Sequence, residues 1–258
     1  MLRKNFLKGK LAVNRYVLGT WSILSSPLCV DVIASSGVDF VILDREHGTA
    51  SFETIVSAIS ICENHGVSPI VRIPEATVGE VQRALDAGAH GLHIPNITCT
   101  SQLENIIELA KYPPLGKRGF SPFTRAAGFS AQNSREQLSQ ANDNTLLAIH
   151  IEGIEGISHL DEFLKYSELD IIFVGLFDLS KSLGVAGDIT HHFVYDGLKK
   201  IAEKCKNCGK IVGTIATSPE QLEEFLSLGI NYITYSVDCE MLLQTYTSTV
   251  KLFRRSIR

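Results

Sequence analysis

Phe40-Val41-Ile42-Leu43 runs without a break into Asp44-Arg45-Glu46-His47-Gly48. Four consecutive apolar residues closed off by charge and glycine read as a strand buried on both faces, because a half-exposed strand would alternate. The arrangement recurs along the chain. Ile70-Val71 meets Arg72, Leu146-Leu147-Ala148-Ile149-His150-Ile151 meets Glu152, and Ile171-Ile172-Phe173-Val174-Gly175 leads to Asp178. Each charge falls at or just past the C-terminal end of its apolar run. A fold that gathers those ends on one rim brings a base, a cation and two carboxylates together, which is how an active site is composed.

Outward from these segments, short apolar runs alternate with amphipathic stretches, with Gly or Pro at many joints. Strands are expected near residues 17–23, 39–43, 69–73, 91–94, 146–151, 170–174, 210–215 and 232–237. Helices are expected near 27–35, 52–65, 78–87, 101–111, 157–166, 194–207, 219–228 and 241–255. Ser51 and the Ser218-Pro219 pair are helix N-terminal signals, and Gly66, Gly88, Gly209 and Gly229 fall where helices end. Eight strand–helix pairs in 258 residues predict an α/β fold, a (β/α)8 TIM barrel, as one domain over residues 1–258. The competing doubly wound sheet uses fewer strands, and no G-x-G-x-x-G follows the first one. The longest interruption, residues 112–144, holds Pro113-Pro114, Arg118 and Arg125, and a connection of that length predicts function or its own packing.

A net charge of −4 gives no attraction to nucleic acid or to an anionic membrane. No run approaches the roughly 20 apolar residues of a membrane span, and residues 1–10 lack the apolar core of a signal peptide. A cytoplasmic protein is expected. Most of the six cysteines lie in apolar helical contexts, as small buried side chains do. The lone Cys205-Lys206-Asn207-Cys208 needs two more ligands to hold zinc. His191-His192 is the nearby candidate, and the unliganded reading is favoured.

Glu152 and Asp178 end adjacent strands, so their oxygens suit Mg²⁺ or Mn²⁺, unless each merely caps a helix or pairs with lysine. His47 is a candidate general base, with Asp44, Glu46 or Asp86 as its orienting carboxylate, or else a loop histidine bonded to backbone. Arg72, inside an apolar strand, requires an anion: a substrate carboxylate or enolate, or a structural partner such as Glu46 or Asp86. Arg118 and Arg125 are either distal-substrate contacts or solvent-exposed loop arginines. His150, two residues before Glu152, points to the same side of its strand, as a substrate contact or a satisfied core histidine.

Taken together, Asp44-Arg45-Glu46-His47, Val71-Arg72, Leu85-Asp86-Ala87-Gly88, Tyr112-Pro113-Pro114-Leu115-Gly116-Lys117-Arg118-Gly119, Ile151-Glu152 and Gly175-Leu176-Phe177-Asp178-Leu179-Ser180 resemble the HpcH/HpaI aldolase family. These are metal-dependent class II pyruvate aldolases of the phosphoenolpyruvate/pyruvate barrel superfamily. The resemblance implies His47 as catalytic base, Asp86 as the acid that raises its basicity, and Arg72 as the pyruvate-binding, enolate-stabilising arginine. It implies Glu152 and Asp178 as ligands of a divalent metal, Mg²⁺ or Mn²⁺ with Co²⁺ or Zn²⁺ as alternatives. It also implies a homo-oligomer, commonly a hexamer, with sites at subunit contacts and an exchanged C-terminal helix. The chain departs from the family at His150, where a glutamine is usual, and at Gly175-Leu176-Phe177-Asp178, where Gly-Pro-Ala-Asp is usual. His150, Phe177 and Asp178 are therefore the residues expected to shape substrate binding.

The expected reaction is reversible cleavage of a 4-hydroxy-2-oxo acid to pyruvate and an aldehyde. His47 or a water on the ion would take the 4-hydroxyl proton, and Arg72 and the metal would stabilise the enolate. No lysine at a rim position compels a Schiff base. The alternatives are a citrate-lyase-β-like acyl-CoA lyase and a catalytically silent binding barrel.

Overall fold

In a computed structural model that describes residues 5–13, 16–132 and 134–257, eight parallel strands close into a barrel in chain order. They are β1 (Val17–Ser22), β2 (Phe40–Asp44), β3 (Ser68–Arg72), β4 (Gly91–Ile94), β5 (Leu146–Ile151), β6 (Ile171–Val174), β7 (Ile211–Ala216) and β8 (Tyr232–Val237). Each lies within one residue of its expected position. The continuous apolar runs are explained by two separate cores. Trp21, Phe40, Ile42, Ile70, Leu146, Ala148, Phe173 and Tyr232 fill the barrel interior. Val41, Leu43, Val71, Leu147, Ile149, Ile172 and Val174 pack outward against the helices. Every residue of β2 and β5 is consequently buried.

The helices are α1 (Phe6–Ala12), α2 (Pro27–Ser35), α3 (Phe52–Asn64), α4 (Val78–Asp86), α5 (Thr100–Ala110), α6 (Ser134–Asn144), α7 (Ile154–Ser158), α8 (Leu160–Phe163), α9 (Leu176–Ser182), α10 (His192–Asn207), α11 (Pro219–Ser227) and α12 (Asp238–Ser256). Ser51 and Ser218 cap α3 and α11 by accepting from the Thr54 and Gln221 amides, as their positions predict.

Three helices lack a sequence signal, and the reason differs for each. α1 is only seven residues, but its buried Leu7 and Leu11 join the barrel-interior cluster and close the N-terminal end of the strands. Tertiary packing, not propensity, makes so short a helix. α6 is mostly polar, with Leu138 and Ala141 its apolar residues, and is pinned from outside. The Tyr112 amide donates to Asn142 Oδ1 at 2.7 Å, and Asn142 Nδ2 donates to the Tyr112 carbonyl at 3.0 Å. α9 is a single short segment holding Leu176 and Leu179 against the core. The helix expected over 157–166 is instead the pair α7 and α8, broken at His159.

The long connection between β4 and β5 leaves α5 and rejoins the sheet at the N-terminal ends of the strands. Arg118 donates to Asp86 at 2.7 Å, and Arg125 donates to the Ala87 carbonyl at 3.1 Å and pairs with Glu63, all at the ends of α3 and α4. Both arginines are therefore structural within one chain. Neither is a freely solvated loop arginine, and neither reaches the rim of its own barrel.

Candidate active site

The C-terminal ends of β1, β2, β3, β5 and β6 surround a cavity of about 220 Å³ lined by Trp21, His47, Arg72, His150, Glu152, Phe173, Gly175, Phe177 and Asp178, among others. Glu152 directly follows β5. Asp178 sits four residues beyond β6, in the first turn of α9, rather than at the strand end itself. Gly175 is the close approach between them: a Cβ there would lie 2.7 Å from Glu152 Cγ. Any larger residue would displace that carboxylate.

Arg72 is held on three sides. Its Nε donates to Asp44 Oδ1 at 2.8 Å, a terminal nitrogen bonds Asp44 Oδ2, and the other meets Glu46 Oε2 at 2.8 Å. The guanidinium carbon stands 4.4 Å from the Trp21 ring centre. Asp44 and Arg72 are register partners at the ends of β2 and β3. Of the partners expected for Arg72, Glu46 is one and Asp86 is not, and Asp44, which was not among them, makes two of the three contacts. The available signal was simple: oppositely charged residues end two successive strands.

Asp44 also accepts from the Glu46 amide at 2.9 Å and the His47 amide at 3.3 Å, so one buried carboxylate orients both the arginine and the loop bearing the histidine. His47 itself is 65% exposed in its side chain, with Nε2 3.8 Å from Glu46 Oε2. Arg45 points away, onto Glu80 and the face of Phe52.

Glu152 accepts from the Asn96 amide at 2.9 Å through Oε2 and contacts His150 Nδ1 at 3.0 Å through Oε1. Burial pushes its carboxyl above the usual range, against the pull of the Asn96 amide and of Arg72. Burial likewise raises Glu46, opposed by Arg72. Burial lowers the His150 imidazole to about 3, helped by the charge of Arg72, and lowers His93 well below the ordinary histidine value. Both nitrogens of His150 are occupied by protein groups, Glu152 on one side and His93 on the other. It is a satisfied core histidine whose ring also borders the cavity.

Asp44 and Glu46 hold the Arg72 guanidinium, and Glu152 and Asp178 line the cavity it borders. The hard oxygen donors of Glu152 and Asp178 fit a small divalent cation, which binds through one or two carboxylates and completes its shell with substrate and water. Asp86 ends α4 at the opposite end of the barrel from His47, bound to Arg118, so a single chain does not bring these two together. Cys205 and Cys208 close α10 while His191 caps its start. From His192 to Cys205 the helix rises about 20 Å, so the four do not form one site.

Fold and rim are those of a parallel-barrel enzyme, with His47, Arg72, Glu152 and Asp178 around one cavity. Residues 17–245 match the family model described as HpcH/HpaI aldolase/citrate lyase. The chain belongs to this family, and it is a lyase of the aldolase kind. It is 28% identical over 251 residues to a hydroxypyruvate/pyruvate aldolase of Roseovarius nubinhibens, covering 97% of each chain. It is 28% identical to a 5-keto-4-deoxy-D-glucarate aldolase of Shigella boydii, covering 91% of this chain and 90% of that one. The crystal structure of an HpcH/HpaI aldolase from Desulfitobacterium hafniense superposes with a TM-score of 0.91 at 30% identity over 96% of both chains.

Proposed function

We propose that the protein, one barrel domain over residues 1–258 working in the cytoplasm, reversibly cleaves a 4-hydroxy-2-oxo acid into pyruvate and an aldehyde. The observation that carries this reading is the state of Arg72. Three of its five N–H groups are engaged by Asp44 and Glu46, which leaves one on each terminal nitrogen for a ligand in the cavity it shares with Glu152 and Asp178. A rigid, partly satisfied guanidinium stabilises the oxygen on which enolate charge develops, at little reorganisation cost.

Glu152 and Asp178 would hold Mg²⁺ or Mn²⁺, with Co²⁺ and Zn²⁺ as the other ions to try. When bound, the ion supplies Lewis-acid polarisation of the keto acid. His47, at the open mouth of the cavity, takes the 4-hydroxyl proton during cleavage and returns it during condensation. Trp21 and Phe173 form an apolar floor that excludes water from the carbanion, while Phe177, 52% exposed, forms the wall that sorts substrates. Asp86 reaches His47 from a neighbouring copy in a homo-oligomer, a hexamer by family likeness, because its own barrel keeps the two apart.

The test is release of pyruvate from a panel of 4-hydroxy-2-oxo acids with Mn²⁺, together with deuterium exchange at the methyl group of pyruvate. The expectation is cleavage and exchange that stop after chelation and in His47→Ala. Neither pyruvate release nor exchange across the panel ends this reading. Undiminished exchange in chelated enzyme removes the metal from it.

A further inference from the structure

Glu152 is the upper end of a hydrogen-bonded chain that descends into the barrel. Its Oε1 meets His150 Nδ1 at 3.0 Å, His150 Nε2 meets His93 Nδ1 at 2.8 Å, and His93 Nε2 meets the Tyr232 hydroxyl at 2.9 Å. The three residues come from β5, β4 and β8, and each is 1% exposed or less.

With Glu152 ionised, as a cation ligand is, one proton assignment satisfies every atom. A carboxylate only accepts, so His150 presents Nδ1–H. A neutral imidazole then has Nε2 as its single acceptor, which takes the proton of His93 Nδ1. His93 Nε2 accepts in turn, and the Tyr232 hydroxyl donates. Hydrogen bonds polarised in one direction reinforce one another. The reverse assignment would need a protonated Glu152 and would leave the tyrosine proton without an acceptor.

The chain is built into its surroundings. Trp21 stands edge-on to both imidazoles, with ring centres 5.7 and 6.0 Å away. Phe40 stacks on Tyr232 at 4.2 Å. Gly213 makes the space: a Cβ there would sit 2.6 Å from the Tyr232 ring and 3.0 Å from Phe173. The lower end is closed, since Tyr232 is fully buried and its hydroxyl bonds to His93. Among the described residues the chain thus ends inside the barrel, which makes it a scaffold. At the upper end the second oxygen of Glu152 is fixed by the Asn96 amide, from a residue in the left-handed region at φ 52°. Each oxygen thus has one protein donor and a lone pair to spare.

We propose that His150, His93 and Tyr232 are positioning residues that fix the plane of the Glu152 carboxylate and thereby set the affinity of the cavity for a divalent cation. The proposal rests on Glu152 being a cation ligand. Groups behind metal ligands commonly govern affinity in this manner.

Two measurements test it. Long-range ¹H–¹⁵N correlation spectra of the ion-free protein at pH 7, labelled at histidine, should show His150 and His93 as neutral Nδ1–H tautomers, the assignment that meets an ionised Glu152. An Nε2–H tautomer or a charged ring at either position overturns the chain. Calorimetric titration with Mn²⁺ should then show His93→Leu weaker than wild type by about 10- to 100-fold. Tyr232→Phe, which keeps the ring stack and removes one hydroxyl, should be weaker by roughly threefold, and it carries the test should His93→Leu fail to fold. His150→Gln retains a donor facing Glu152 and should stay within about threefold of wild type. Unchanged Mn²⁺ affinity in His93→Leu and Tyr232→Phe, with only a lower melting temperature, would reduce the chain to core packing and refute the proposal. Wild type that binds no Mn²⁺ although both tautomers are as assigned would refute it by a different route, through the cation reading of Glu152 itself.

Discussion

Asp44 grips Arg72 at two points, across the register pair that ends β2 and β3, and the carboxylate is fully buried while it does so. The same carboxylate takes the amides of Glu46 and His47. Removing it therefore affects stability and the site together. Asp44→Ala leaves a nearly buried guanidinium with Glu46 as its remaining partner, a loss of about 3–5 kcal/mol in denaturant unfolding. In protein that still folds, kcat/KM for pyruvate formation should fall by about 10²- to 10³-fold through a misdirected Arg72. Unaltered kcat/KM would show that Arg72 acts in neither binding nor enolate stabilisation.

The barrel was legible because burial on both faces leaves a distinctive mark: runs such as Phe40–Leu43 and Leu146–Ile151 have no polar alternation to confuse with a surface strand. The rim was legible for a related reason, since Arg72 and Glu152 break those runs where the strands surface. Partners that are neutral or distant in sequence were not. The link from His93 to His150 and Tyr232 depends on β4 lying beside β5 and on barrel closure bringing β8 across from them, and in sequence His93 is one polar residue in the apolar stretch Gly91–Ile94. The Asn96 amide that fixes Glu152 is backbone, which sequence does not mark. α6 leaves little mark in the sequence because Ser134–Asn144 has only Leu138 and Ala141 as apolar residues and is ordered by contacts from Tyr112.

Lys111 gives a pH signature with a definite sign. Its ammonium is buried, donating to the carbonyls of Asn142 and Thr145, and burial lowers its pKa to about 8 from 10.5. Below pH 8 the lysine is charged whether the protein is folded or not, and the burial penalty is fully present. Between pH 8 and 10.5 the unfolded chain binds more protons, so stability rises with pH in that window. Relative to Lys111→Met, wild type should gain up to about 3 kcal/mol from pH 7.5 to 10.5 in urea unfolding. Parallel stability curves for the two proteins would contradict a buried, depressed Lys111.

α12 carries an apolar stripe left exposed by the described residues of its own chain. Leu243, Tyr246, Val250 and Phe253 recur at intervals of three or four residues, and Leu243 and Tyr246 are 68% and 69% exposed. A contiguous exposed stripe of this kind is an interaction surface. The homo-oligomer proposed above would bury it. Light scattering after gel filtration should find wild type as an oligomer and Leu243→Glu/Phe253→Glu as a smaller species. A monomeric wild type would refute the assembly and, with it, any role for Asp86 contributed by a second chain.

Asp86 itself is open to a sharper test. Its carboxylate ends α4, so nine residues of helix, about 13 Å, carry it away from the rim, and there it accepts from Arg118 at 2.7 Å. His47 projects outward from the rim, largely exposed. If the two meet, they meet across a subunit contact. His47→Ala and Asp86→Ala should then each be nearly inactive alone. After refolding as a 1:1 mixture, random assembly places both native residues at about a quarter of the contacts, and activity should return to about that fraction of wild type. Pairing within one chain allows no such recovery, because every chain in the mixture lacks one of the two groups. A mixture as inactive as its parents would therefore remove Asp86 from the site.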